Sequence, residues 1–137
     1  MYLLDTNVIS ELRRNKPHGA VRAWLASVPD ASLQISAVSL AEIQRGIENA
    51  RATNPAKARE IESWADKIEL TFAVLPVDAP IFRLHARWMH RRSDACYEDA
   101  LIAATAKIQG LVVVTRNVVD FADFDVGLFD PFGFQSG

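Results

Sequence analysis

Four acidic residues, Asp5, Glu42, Asp99 and Asp120, occupy positions where a carboxylate can do chemistry. Asp5 closes the apolar run Met1-Tyr2-Leu3-Leu4 and leads without a linker into the helix-compatible stretch Thr6-Asn7-Val8-Ile9-Ser10-Glu11. That pattern reads as a buried strand whose C-terminal end delivers a carboxylate to a sheet edge, where ligands collect in open α/β folds. Glu42 follows the short strand pattern Ser32–Ser36 and is expected in the first turn of the next helix. Asp99 precedes the apolar Ala100–Ala104 near another helix start, and Asp120 is expected in the loop after the strand pattern Leu111–Thr115. Clustered oxygen donors of this kind suit Mg²⁺ or Mn²⁺. An ion held there can acidify a bound water and neutralise charge on a phosphoryl oxygen, so a phosphodiester can be hydrolysed with no protein nucleophile.

Each acid also has a structural reading. Asp5 can cap the helix that follows it. Ser39-Leu40-Ala41-Glu42 has the form of a capping box, and Asp99 at a helix start complements the macrodipole. Taken together, the acids need more than capping. Asp5 and Asp99 border apolar sequence with no lysine or arginine within three residues, and such carboxylates need a compensating partner.

The elements that must position these acids alternate. Strand patterns occupy Tyr2–Leu4, Ser32–Ser36, Phe72–Val77 and Leu111–Thr115, with an edge strand near Leu128-Phe129. Helical patterns run from Thr6 to about Arg13, His18–Ser27, Val38–Asn49, Asn54 (cap) to Leu70, Asp78 to about Arg92, and Tyr97–Gln109, the last stopped by Gly110. Strands alternating with helices predict an α/β fold, a three-layer sandwich with a central, mainly parallel sheet flanked by helices. The length of 137 residues predicts a single domain over 1–137. With the sheet parallel, Asp5, Glu42 and Asp120 share one end, whereas Asp99 joins them only through tertiary packing.

Composition narrows the function. Half of the residues are hydrophobic and 23% are charged, the balance of an ordinary globular protein. No run approaches the roughly 20 apolar residues of a membrane span, and no signal peptide is evident, so a cytoplasmic location is expected. One cysteine, Cys96, excludes an internal disulfide and reads as a packing thiol. Neither a Walker sequence nor G-x-G-x-x-G is present. Net charge is −2, so any nucleic-acid contact must be local. Arg83, Arg87 and Arg91, spaced i, i+4, i+8 with His90 and Arg92 nearby, are either a solvated helix face or a phosphate-steering strip. Arg116 is a separate candidate for touching a phosphate. Trp24, Trp64 and Trp88 sit in apolar helical patterns and read as core or dimer-interface residues.

Four segments in order, Leu3-Leu4-Asp5-Thr6-Asn7-Val8-Ile9-Ser10-Glu11, Ser36-x-x-Ser39-x-x-Glu42, Glu98-Asp99-Ala100-Leu101-Ile102-Ala103-Ala104 and Val114-Thr115-Arg116-Asn117-x-x-Asp120-Phe121, resemble those of PIN-domain proteins. The resemblance is to the VapC toxins and, within them, the FitB-like branch, and it spans Met1 to about Gly133. It implies a Mg²⁺- or Mn²⁺-dependent ribonuclease, the toxin of a type II toxin–antitoxin pair. Metal-binding carboxylates map onto Asp5, Asp99 and Glu42. For the fourth acid the family uses either of two positions, here Asn117 and Asp120; Asp120 is favoured, with Asn117 as a supporting polar group. Thr6, Asn7 and Thr115 match positions that orient the acids or the attacking water, and a cap or turn role is equally open to them. The resemblance further implies a homodimer and a cognate antitoxin whose tail blocks the pocket, with operator DNA contacted only through the antitoxin. The helical pair Ile47–Leu70 is a candidate clamp for that partner. The competing reading is a binding or regulatory module with weak or vestigial nuclease activity that acts with its antitoxin on operator DNA.

Overall fold

A computed structural model of the chain describes residues 1–135. Its strands are β1 (Tyr2–Leu4), β2 (Leu33–Ser36), β3 (Ala73–Leu75), β4 (Val112–Val114) and β5 (Leu128–Phe129). The helices are α1 (Thr6–Glu11), α2 (Gly19–Ser27), α3 (Ala37–Arg51), α4 (Pro55–Thr71), α5 (Ala79–Met89), α6 (Tyr97–Gln109) and α7 (Val118–Phe121).

The strands form one five-stranded sheet in the order β3-β2-β1-β4-β5, and every pairing is parallel. Consecutive residues of β1 and β4 serve opposite faces, as the strand period requires. Leu4 and Val114 join a core with Val8, Ile9, Trp24, Ile35 and Ile47, while Leu3 and Val113 join a second core with Leu101, Ile102 and Phe121. All four strand residues are fully buried, each contributing about 1.5–3 kcal/mol through apolar burial. Covering both faces with helices produces the three layers expected from the alternating pattern.

Topology places the site. The chain runs from β1 outward through β2 to β3, then crosses to β4 and β5 on the other side, so the sheet's switch point lies between β1 and β4. Leu4 is in register with Ile35 and with Val114. The next residues, Asp5, Ser36 and Thr115, therefore leave the sheet side by side at its C-terminal end.

Local detail departs from the sequence expectations at several points. Helix α3 is capped by Ser36, whose Oγ accepts from the Val38 amide at 3.0 Å. Ser39 is thus inside the helix and no capping box forms; Glu42 sits in the second turn, not the first. Helix α5 stops at Met89 rather than Arg92, because the Arg92 Nε donates back to the Trp88 carbonyl at 2.6 Å and Arg91 turns to φ 64. Arg91 therefore leaves the helix, and the proposed three-arginine stripe shrinks to Arg83 and Arg87. Asp120 lies in the short helix α7 instead of a loop. Gly110 ends α6 in the left-handed region at φ 70, as its position suggested.

The aromatic and sulfur assignments divide. Trp24 is core, edge-on to Tyr2 at 5.1 Å, and Trp88 stacks on Phe124 at 5.3 Å. Trp64 and Trp88 are both partly buried, Trp64 packed against the first core and Trp88 against the second. The Cys96 thiol donates to the Ser93 carbonyl at 3.1 Å, and His85 Nε2 lies 3.0 Å from the Tyr97 carbonyl; both are engaged in packing.

Candidate active site

Asp5 is fixed from both sides. Its backbone amide donates to the Val114 carbonyl at 2.9 Å, extending the β1–β4 ladder by one residue. Its Oδ1 accepts from the Thr6 amide at 2.8 Å, so the residue does cap α1. Its Oδ2 accepts from the Thr115 hydroxyl at 2.7 Å and from Asn7 Nδ2 at 3.2 Å. The carboxylate is only 5% exposed. Burial raises its pKa above the ordinary range, against the lowering effect of the Thr115 and Thr6 hydrogen bonds, and the Asp120 charge adds to the rise.

Glu42 is placed by a second relay. The Thr6 Oγ1 lies 2.9 Å from Ser39 Oγ and 3.2 Å from Glu42 Oε1. A hydroxyl has one proton to give, so toward an ionised Glu42 the relay runs from Ser39 to Thr6 to Oε1. Ser39 is fully buried. Burial pushes the Glu42 pKa up to about 7, with the Glu98, Asp5 and Asp99 charges adding to the rise and the Thr6 hydrogen bond opposing it.

Asp99, in the first turn of α6, reaches the same region. Its pKa is pushed up to about 6 by burial first, then by the charges of Asp5, Asp120 and Glu98. Asp120 is exposed, and its charge is felt at both Asp5 and Asp99. The fold thus brings Asp5, Glu42 and Asp99 within electrostatic reach of one another, and Asp120 within reach of Asp5 and Asp99. Tertiary packing of α6 supplies Asp99, as its sequence position required.

The supporting polar residues are placed unequally. Asn7 ties Asp5 to Thr115 Oγ1 at 3.3 Å, and its Oδ1 accepts from the Arg116 amide at 3.3 Å. Thr115 also accepts from the Asn117 amide at 3.0 Å. Asn117 therefore contributes through its main chain, and its side chain makes no capping bond. Arg116 is exposed, with its guanidinium carbon 4.5 Å from the centre of the Phe132 ring.

Sequence reasoning missed three participants. Ser39 was read as a cap and is a buried relay hydroxyl. Glu98 is a fifth acid beside Asp99 and Glu42, and Arg45 holds it at 2.6 Å. The Arg45 placement had a signal, since it lies at i+3 from Glu42 on a helix, whereas its pairing with Glu98 had none.

The donors are oxygen-only and of one sign, and Arg45 is the only cation paired to any of these acids among the described residues. Carboxylates whose pKa values are raised by burial and by each other are stabilised by a hard divalent counter-charge, which Mg²⁺ or Mn²⁺ supplies. Among the described residues, no three acidic, histidine or cysteine side chains stand close enough to enclose an ion as placed. The donor chemistry, oxygen-only and anionic, fits such an ion.

Comparison with known proteins shows the family of the chain. The PIN domain family model matches residues 2–126. Toxin FitB of Neisseria gonorrhoeae is 37% identical over 139 residues, covering 96% of this chain and 98% of that protein. The VapC ribonuclease Y4jK of Sinorhizobium fredii is 34% identical over 142 residues, covering 96% and 97%. The solved structure of FitAB bound to an IR36 DNA fragment has a matching chain with TM-score 0.81 and 34% identity over 99% of both chains. By family match and by identity over nearly its whole length, the chain belongs to the PIN-domain family, in the company of FitB and the VapC ribonucleases.

Proposed function

We propose that this chain is a Mg²⁺- or Mn²⁺-dependent endoribonuclease, the toxin of a type II toxin–antitoxin pair, acting in the cytoplasm as a homodimer and restrained by its antitoxin. The observation that carries the reading is the convergence of Asp5, Glu42 and Asp99, each with its carboxyl pKa raised, beside the β1–β4 switch point, with the Asp120 charge felt at Asp5 and Asp99. The names of its relatives, a toxin and a ribonuclease, support the class.

Asp5, Asp99 and Glu42 would hold the ion, with Asp120 completing the set. When bound, the ion supplies positive charge for the phosphoryl oxygens and acidifies a water. Thr115 and Asn7 aim Asp5, and their hydrogen bonds to its carboxylate favour the charged form against the burial that raises its pKa. Ser39 and Thr6 hold Glu42 Oε1, leaving Oε2 to accept the proton of the attacking water. The Glu42 pKa of about 7 belongs to the metal-free chain, and a bound cation would lower it and keep the carboxylate ionised at neutral pH. Arg116 offers a cation beside Thr115 for the scissile phosphate.

The test is incubation of purified, antitoxin-free chain with transfer and messenger RNA under chelator, Mg²⁺ and Mn²⁺. Cleavage confined to the metal arms is expected. The second reading, a module that acts with its antitoxin on operator DNA, draws on the relative solved on a DNA fragment and on the absence of a closed three-ligand cage among the described residues. It gains if no form cleaves RNA in any metal while the antitoxin complex binds operator DNA.

A further inference from the structure

Two clefts open side by side on the flank of the acidic site. One, of about 340 Å³, is lined by Thr6, Ser10, Glu42 and Gly46 together with Arg13 and Trp64. The other, of about 430 Å³, is lined by Arg14, Asn15, Lys57 and Glu60, again with Arg13 and Trp64. The shared pair joins them into one trough that begins at Glu42 and leads out between the end of α1 and the first half of α4.

Charge changes sign along this trough. The inner end carries Glu42, whereas the outer end has Arg13, Arg14 and Lys57 against one carboxylate, Glu60. Arg14 pairs with Glu11 at 3.3 Å and Lys57 with Glu60 at 3.6 Å. Arg13 is exposed and makes no ion pair among the described residues. Trp64 is the one aromatic side chain lining both halves. A Cβ added at Gly46 would meet nothing within 4 Å, so the α3 side of the trough is open.

A chain of net charge −2 must hold a polyanion by local cations, and an acidic centre repels every phosphate it does not bind. Cations next to an aromatic ring are the means by which proteins track the backbone and stack the bases of unpaired strands. We infer that this trough binds a single-stranded RNA segment flanking the scissile phosphate, with Arg13 and Lys57 on phosphates and Trp64 stacking a base. Trp64 thereby takes the role that its apolar helical pattern argued against. The inference rests on the endoribonuclease reading above and gives its substrate a path.

The test uses the Asp5→Asn chain, so that RNA stays intact, with a fluorescein-labelled oligoadenylate followed by anisotropy across a salt series. Arg13→Gln and Lys57→Gln are each expected to weaken binding several-fold and to lower the salt slope by about 0.7. Trp64→Leu keeps apolar packing and is expected to weaken binding by roughly tenfold, and Gly46→Leu to do so by filling the trough. Arg59→Gln, an exposed α4 cation outside the trough, is expected to change little. Thermal unfolding of each variant confirms folding. Trough variants that bind like the Arg59→Gln control overturn the inference, as does unchanged RNA binding with loss of the co-expressed antitoxin. Cleavage by the otherwise unaltered chain is scored separately: RNA cleaved with unchanged KM in the trough variants removes the trough alone, whereas no binding and no cleavage removes both readings.

Discussion

The Thr115 hydroxyl donates to Asp5 Oδ2 at 2.7 Å across 110 residues of sequence. The bond joins the ends of β1 and β4 at the switch point, and among the described residues it is the only fully buried link to the Asp5 carboxylate. Thr115 also receives the Asn117 amide and lies within reach of Asn7 Nδ2. Thr115→Val keeps the shape and deletes the hydroxyl. Leaving these buried groups unpaired is expected to cost about 1–3 kcal/mol in urea unfolding. Cleavage should fall by roughly 10–100-fold, the usual effect of losing a group that orients a metal ligand. Thr115→Ser should restore most of both.

The acids oppose folding while they serve the site. Asp99→Asn removes one of the charges that raise the Glu42 pKa. In chelator at about pH 8, this variant is expected to melt at or above the temperature of the unaltered chain. Its cleavage should fall by more than the roughly 10–100-fold typical of a supporting residue. A scanning fluorimetry trace paired with an RNA gel reads both quantities.

The sign of the pH dependence follows from the raised values. Glu42 moves from 4.5 to about 7 and Asp99 from 3.8 to about 6, so the folded, metal-free chain holds these protons more tightly than the unfolded chain. That contribution is fully present below the unfolded values and is lost as pH rises through about 6 to 7. Metal-free stability should therefore decline across this window, and Glu42→Gln should flatten the decline. Mg²⁺ competes with the same protons and should raise the melting temperature more at about pH 8 than at about pH 5.

Gly110 provides a test confined to the scaffold. At φ 70 it caps α6, and a Cβ there meets no atom within 4 Å. Gly110→Ala should cost about 1 kcal/mol through backbone strain alone. With the β4 register intact, cleavage per folded molecule should not change.

The fold was readable where one local signal dominated. Leu111–Val114 is an unbroken apolar run with three β-branched valines, and it supplies β4 (Val112–Val114), an interior strand of the parallel sheet. Asn54-Pro55 begins α4 and Gly110 ends α6, each by its own backbone chemistry. Where two local signals competed, the prediction failed. Ser36 and Ser39 can each cap a helix, and the choice of Ser36 depends on where β2 leaves the sheet. Arg92 lies in a helical pattern, yet its side chain closes α5 three residues early. The site followed the same rule. Asp5 and its partners at the strand ends were visible as pattern, whereas the Ser39–Thr6–Glu42 relay and the Arg45–Glu98 pair join separate elements and are specified only by packing.

The most direct measurement is a Mn²⁺ titration followed by electron paramagnetic resonance of the free ion, run with RNA cleavage on the same samples. The unaltered chain should take up Mn²⁺ and cleave in proportion to its occupancy, and Asp5→Asn and Asp99→Asn should lose uptake and cleavage together. Cleavage that persists in chelator, or variants that bind Mn²⁺ and cleave as the unaltered chain does, would contradict the metal-site account.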